Sequence, residues 1–126
     1  MNWTIDNVDG AYLVVSMFGR YTLEGQHAME SEIFSTSFWR PGMPAIFDQR
    51  QLDFSGINYE LIQQVGAGHE KNDHLIGESK TAIVVESNVG YGLARQFEIT
   101  VDGVVGAEIR VFRSFEEAEA WIKPGL

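Results

Sequence analysis

The stretch Thr81 to Glu86, TAIVVE, is a continuous apolar run rich in β-branched residues. Such a run suits a strand buried on both faces, because a strand with one wet face alternates apolar with polar residues. A second run, AYLVVSMF from Ala11 to Phe18, makes the same demand. Tyr12, Val14 and Phe18 occupy one alternating set, and Leu13, Val15 and Met17 the other. It reads as a central strand covered on both faces.

The remaining punctuation places these strands in an α/β order. Asp9-Gly10 between WTIDNV and AYLVVSMF signals an opening antiparallel hairpin. Gly19 ends the second strand, and Thr22 caps a helix through LEGQHAMESEIFSTSF, where Met29, Ile33 and Phe34 recur at helical spacing. The loop WRPGMP follows, then a short buried strand, PAIFD. Asn58 caps the next helix, with Leu61, Ile62 and Val65 as its inner stripe and Ile57 placed to staple on Ile62. Gly66 and Gly68 weaken that helix, which ends before Gly77. After TAIVVE, Val89, Leu93 and Phe97 fall at four-residue steps from a start near Asn88. Asp102-Gly103 nevertheless leaves residues 88–106 open between a helix plus loop and a hairpin. AEIRVF is the last strand, and Ser114 with Glu117 forms a capping box for a closing helix whose inner face is Phe115, Ala118, Trp121 and Ile122. The expected fold is a single α/β domain over 1–126 with a mixed sheet, antiparallel in its first hairpin and parallel afterwards, and about four helices.

Composition excludes several functions. With no cysteine, disulfides, thiolate nucleophiles and cysteine-based zinc sites are ruled out. Eighteen acidic against nine basic side chains give a net charge of −9, which repels phosphate backbones and anionic lipid surfaces, so nucleic acid is not an expected partner. The opening MNWTIDNVDG has no basic start with an apolar core, and no apolar run approaches the ~18 residues that span a bilayer. The expectation is a cytoplasmic protein without stable membrane insertion.

Few residues carry a chemistry. In GHEKNDH, His69 and Asp73 stand one helical turn apart with His74 adjacent, but no third ligand is evident, and neither metal nor cofactor is expected. Gly90 and Gly92 in NVGYGLAR, followed by Arg95, lack the third glycine of a dinucleotide loop and every element of a P-loop. No Gly-x-Ser-x-Gly occurs, and His27, His69 and His74 have no sequence-evident nucleophile, so no catalytic residue is assigned. In FWRPGMP, Trp39 reads as a cover for the end of the core, with Phe38 and Met43 beside it.

The element order, the segment AIFDQRQLDFSG before a helix and the ending IRVFRSFEEAEAWI resemble the STAS-like family (sulfate transporter and anti-sigma factor antagonist), in its small stand-alone bacterial branch related to sporulation anti-anti-sigma factors. The resemblance covers nearly the whole chain. It implies a β/α superhelix that acts as a non-catalytic regulatory module through protein contacts, in which a serine at the start of the helix after the central strand is phosphorylated to break the complex. The matching residues are Ser55 with Gly56, and Asp48 at the preceding strand end; the step here is Phe-Ser-Gly rather than Asp-Ser-Gly. Lipid-carrying CRAL-TRIO domains share the fold, which adds a second expectation, a carrier of a small apolar molecule with a pocket drawn from Tyr12, Phe47, Tyr91, Leu93 and Phe97. An enzyme of unknown class comes third. If the helices line mainly one face, the outer side of Ala11–Phe18 needs a cover, from a second copy in a homodimer or from an apolar ligand.

Overall fold

The computed structural model describes residues 1–123. Its core is one five-stranded sheet in the order β1-β2-β3-β4-β5, with β1 (Asn2–Val8), β2 (Tyr12–Arg20), β3 (Ala45–Asp53), β4 (Lys80–Val84) and β5 (Glu108–Phe112). β1 and β2 are antiparallel and the other neighbours are parallel. The hairpin turn needs left-handed backbone at two successive residues, and Asp9 and Gly10 supply φ values of 54° and 70°. The helices among the described residues are α1 (Leu23–Ser35), α2 (Tyr59–Lys71), α3 (Asp73–Ile76), α4 (Asn88–Val101) and α5 (Phe115–Ile122).

Both doubly apolar strands are sealed by helices of this same chain. Leu13, Val15 and Met17 of β2 pack with Met29 and Ile33 of α1. Ile83 and Val85 pack with Ala94 and Val101 of α4. On the opposite face, α5 presses Ala118 and Ile122 onto Tyr12, Ile46, Ala82 and Val84. The cover expected from a second copy or a ligand is therefore supplied at Tyr12 by α5, with Val14 half-buried against the same cluster and Phe18 half-buried further along the strand.

The helix caps follow the side chains that local chemistry favours. Thr22 Oγ1 accepts from Gly25 N at 3.0 Å, Asn58 Oδ1 from Leu61 N at 2.8 Å, and Ser114 Oγ from Glu117 N at 3.2 Å. Residues 88–106 resolve as α4 plus a loop. Ser87 caps α4, and Asp102-Gly103 forms its exit turn in place of a hairpin.

Other boundaries differ from the sequence expectation for tertiary reasons. β2 runs one residue past Gly19, because Arg20 still pairs with Asp53. α1 stops at Ser35, three residues short of Phe38, where Thr36 turns its N–H and hydroxyl back onto Ile33 O. β3 continues past Asp48 to Asp53: beyond the edge of β4 it remains paired with β2, through a bulge that sets Ser16 opposite Asp48 and Phe18 opposite Gln51. Gly66 does not break α2. It lets α2 approach α4, since a Cβ there would lie 3.1 Å from Thr100 Cγ2. Among the described residues no helix is long and apolar enough to cross a membrane.

Candidate functional site

Two features stand out at the carboxyl ends of the parallel strands, and the first is the turn joining β3 to α2. Ile57 N donates to Phe54 O at 3.1 Å, closing a turn whose third residue, Gly56, has φ of 87°. A side chain at Gly56 would be strained by that φ and would meet Arg20 Nη2 at 2.6 Å. Ser55 sits exposed at the tip, and its N–H donates to Asp53 Oδ1 at 2.9 Å. The hydrogen bonds from the Ser55 backbone and hydroxyl, with a smaller contribution from Arg20, hold the Asp53 carboxyl below the usual carboxylate range. Asn58 caps α2, so the Ser55 hydroxyl has no capping duty.

Asp48 is not part of this turn. It lies inside β3, five residues before the strand ends, or roughly 16 Å along it. Its carboxylate takes a bidentate pair from Arg50, at 2.9 Å from Nε and 2.8 Å from Nη2. Burial alone would raise the Asp48 pKa, but the bonds from the Arg50 side chain and backbone outweigh it and leave it lowered. The strand-end position expected for Asp48 is thus corrected, because the bulge and the pairing with β2 carry β3 further.

The starts of α2 and α4 each carry an exposed large side chain, Tyr59 (63% exposed) and Val89 (66% exposed). The two starts are held together by Phe54, whose ring edge comes so close to Gly90 that a Cβ there would lie 2.8 Å from Cε2. Gly90 therefore serves packing, and the Gly90/Gly92 segment is the first turn of α4.

The second feature is a cavity of about 80 Å³ beneath α2. It exists because α2 rests mainly on α4 and α1, leaving space above β3. Phe47 and Ile83 form its floor, Phe54 and Ile57 stand at the turn, Leu61, Ile62 and Val65 come from α2, and Leu93, Ala94 and Phe97 from α4. Phe47, Leu93 and Phe97 of the expected pocket are brought together here. Tyr12 and Tyr91 are not. Tyr12 belongs to the opposite face, its hydroxyl donating to Glu119 Oε2 at 2.9 Å, and Tyr91 lies under the Arg113 guanidinium, 4.4 Å from its ring centroid. Period-2 alternation explains the first miss: Tyr12 and Phe47 occupy opposite faces of neighbouring strands.

At its inner wall the cavity meets a polar chain that sequence reading missed. Tyr21 Oη donates to Gln26 Oε1 at 2.7 Å, Gln26 Nε2 donates to Glu30 Oε1 at 2.6 Å, and Asn72 Nδ2 donates to Glu30 Oε2 at 3.3 Å. Gln26 and Glu30 are each only 7% exposed. Burial, and then the nearby Glu30 carboxyl, raise the Tyr21 phenol far above its ordinary range. The signal was available: Gln26, Met29, Glu30 and Ile33 share the i, i+3, i+4, i+7 spacing, so the buried stripe of α1 carries two polar residues.

The other candidates separate. His69 Nδ1 lies 3.3 Å from Val65 O and its ring meets Phe97 edge-on, whereas Asp73 Oδ1 accepts from Gly106 N at 2.8 Å and His74 is exposed. His69 and Asp73 thus serve different contacts. Trp39 Nε1 donates to Leu75 O at 2.9 Å, Phe34 packs against its ring, and Met43 is fully buried, so FWRPGMP closes the end of the core.

No family model matches the chain, and no curated protein matches it in sequence. Among solved structures it is similar to the crystal structure of an uncharacterized protein of the DUF3478 family with a SpoIIAA-like fold, from Shewanella loihica PV-4. The TM-score is 0.63 at 18% identity, over 97% of this chain and 93% of that one. The chain has the SpoIIAA-like, STAS-like fold.

Proposed function

We propose that the chain is a non-catalytic, cytoplasmic regulatory module that binds a protein partner through the rim formed by the Ser55-Gly56 turn and the starts of α2 and α4. The observation that carries this reading is that Ser55, Tyr59 and Val89 are all exposed where Phe54 of the turn packs against Gly90 of α4. Exposed aromatic and aliphatic side chains beside adaptable polar groups suit a protein interface. A phosphate on Ser55 would bring ~−1.5 to −2 charges to the α2 N-terminus and so rewrite the rim.

The test is affinity capture with quantitative mass spectrometry, comparing the wild-type chain with Tyr59→Ala, Ser55→Asp and Ser55→Ala, each checked for fold by circular dichroism. A partner held by wild type and Ser55→Ala but lost from Tyr59→Ala and Ser55→Asp fits the reading. Equal capture by all four proteins removes the rim as the contact surface.

The cavity favours a second reading, a binder of a small apolar group. About 80 Å³ is roughly half of the ~150 Å³ cavity known to hold benzene, so the space takes a few carbon atoms rather than a whole lipid chain. Retained organic mass in native mass spectrometry would support it, and a chain that takes up no small apolar probe would end it.

A further inference from the structure

Next to the apolar cavity lies a smaller one of about 40 Å³, lined by Glu30, Ser79 and Ile33 among others, and Gln26, Phe47, His69 and Thr81 line both. We infer that the two chambers together form a site for a short primary alkylamine, its ammonium group against Glu30 and its alkyl chain in the larger chamber. The inference rests on the small-ligand reading of the cavity and is independent of the rim.

The chemistry of the wall decides the head group. Glu30 has capacity for about four hydrogen bonds, and the amides of Gln26 and Asn72 fill two. No lysine or arginine pairs with it among the described residues. His69 Nδ1 stays 3.9 Å away, nearer to the Val65 carbonyl oxygen. Ser79 Oγ is buried without a hydrogen-bond partner. A buried carboxyl group is costly without a cation beside it. An ammonium group donates three hydrogen bonds and carries the missing charge. The smaller chamber exceeds the ~10–15 Å³ that a water-sized group needs. By the benzene comparison the larger chamber takes about three or four carbons. The net charge of −9 also draws cations, and repels anions, at long range.

The probes are n-butylammonium chloride, 1-butanol and ammonium chloride at matched ionic strength, read by amide chemical shifts on the isotope-labelled chain. Butylammonium is expected to bind saturably and about tenfold tighter than 1-butanol, as a charge-assisted bond adds to the same alkyl contact. Its shifts should centre on residues 26–30 and 69–72, and Glu30→Gln should bring amine and alcohol to equal affinity. Should Glu30→Gln not fold, Ala94→Leu serves instead: by filling the larger chamber it should abolish butylammonium binding. Equal binding of amine and alcohol by the wild-type chain overturns the amine inference but leaves the apolar cavity reading standing. No saturable binding of either overturns both. Shifts confined to exposed acidic residues, or reproduced by ammonium chloride, overturn the site.

Discussion

Ala94 offers a direct measurement of the empty space beneath α2. Its methyl group lines the cavity from α4 and is buried, so Ala94→Leu sends three extra carbons into a chamber of about 80 Å³. At ~24 cal/mol per Å³ of cavity, complete filling would contribute about 2 kcal/mol. Ordering the leucine side chain costs about 0.5–1 kcal/mol, and the helix propensities of Ala and Leu differ little. The expected outcome is stabilisation by about 1 kcal/mol, or about 4 °C in Tm for a domain of this size. Urea unfolding followed by circular dichroism would read it as a higher midpoint at unchanged slope. Ligand-free protein, verified by native mass spectrometry, is the required starting material. Destabilisation of that protein by about 1–3 kcal/mol, the ordinary result of overpacking, would mean that α2 already lies closed on the sheet and would refute the argument.

Two further outcomes test other parts of the molecule. Ile122 is fully buried on α5, which covers the second face of the sheet, so Ile122→Ala should cost about 2–5 kcal/mol by chemical denaturation; a loss under about 1 kcal/mol would mean that α5 is not docked. The Asp53–Ser55 turn should open in acid. Asp53 has its folded-state pKa depressed, so its contribution is present above the unfolded value of about 3.9 and is lost as pH falls through the lower folded value; the Ser55 amide shift should follow this in wild type and not in Asp53→Asn.

Fold and site were legible in the sequence to different degrees. The caps at Thr22, Asn58 and Ser114 and the hairpin turn at Asp9-Gly10 follow from contacts within a few residues, and the buried strand at β4 shows as a continuous apolar run, so local pattern reading reaches them. β3 was cut short at Asp48 because its continuation is held by β2, some thirty residues away in the chain, and no local signal marks that pairing. The sequence presents Tyr12, Phe47, Tyr91, Leu93 and Phe97 as candidates for one apolar pocket. Phe47, Leu93 and Phe97 meet, whereas Tyr12 sits across the sheet, since the face a strand residue takes depends on register with its neighbours.

The sequence by itself determined the order of elements outside α3 and residues 88–106, the mixed α/β class and the position of the Ser55-Gly56 turn, because strands buried on both faces and side-chain caps are written in short-range pattern. Only the tertiary structure decided that α5 covers Tyr12 without a second copy, that Asp48 belongs to Arg50 rather than to the serine turn, and that Glu30 stands buried beside a cavity. The second turns on the pairing of β3 with β2, and the other two on which helix lies over which face of the sheet. That choice is made by the packing of side chains far apart in the chain, where the burial of apolar area over the whole domain outweighs any local preference.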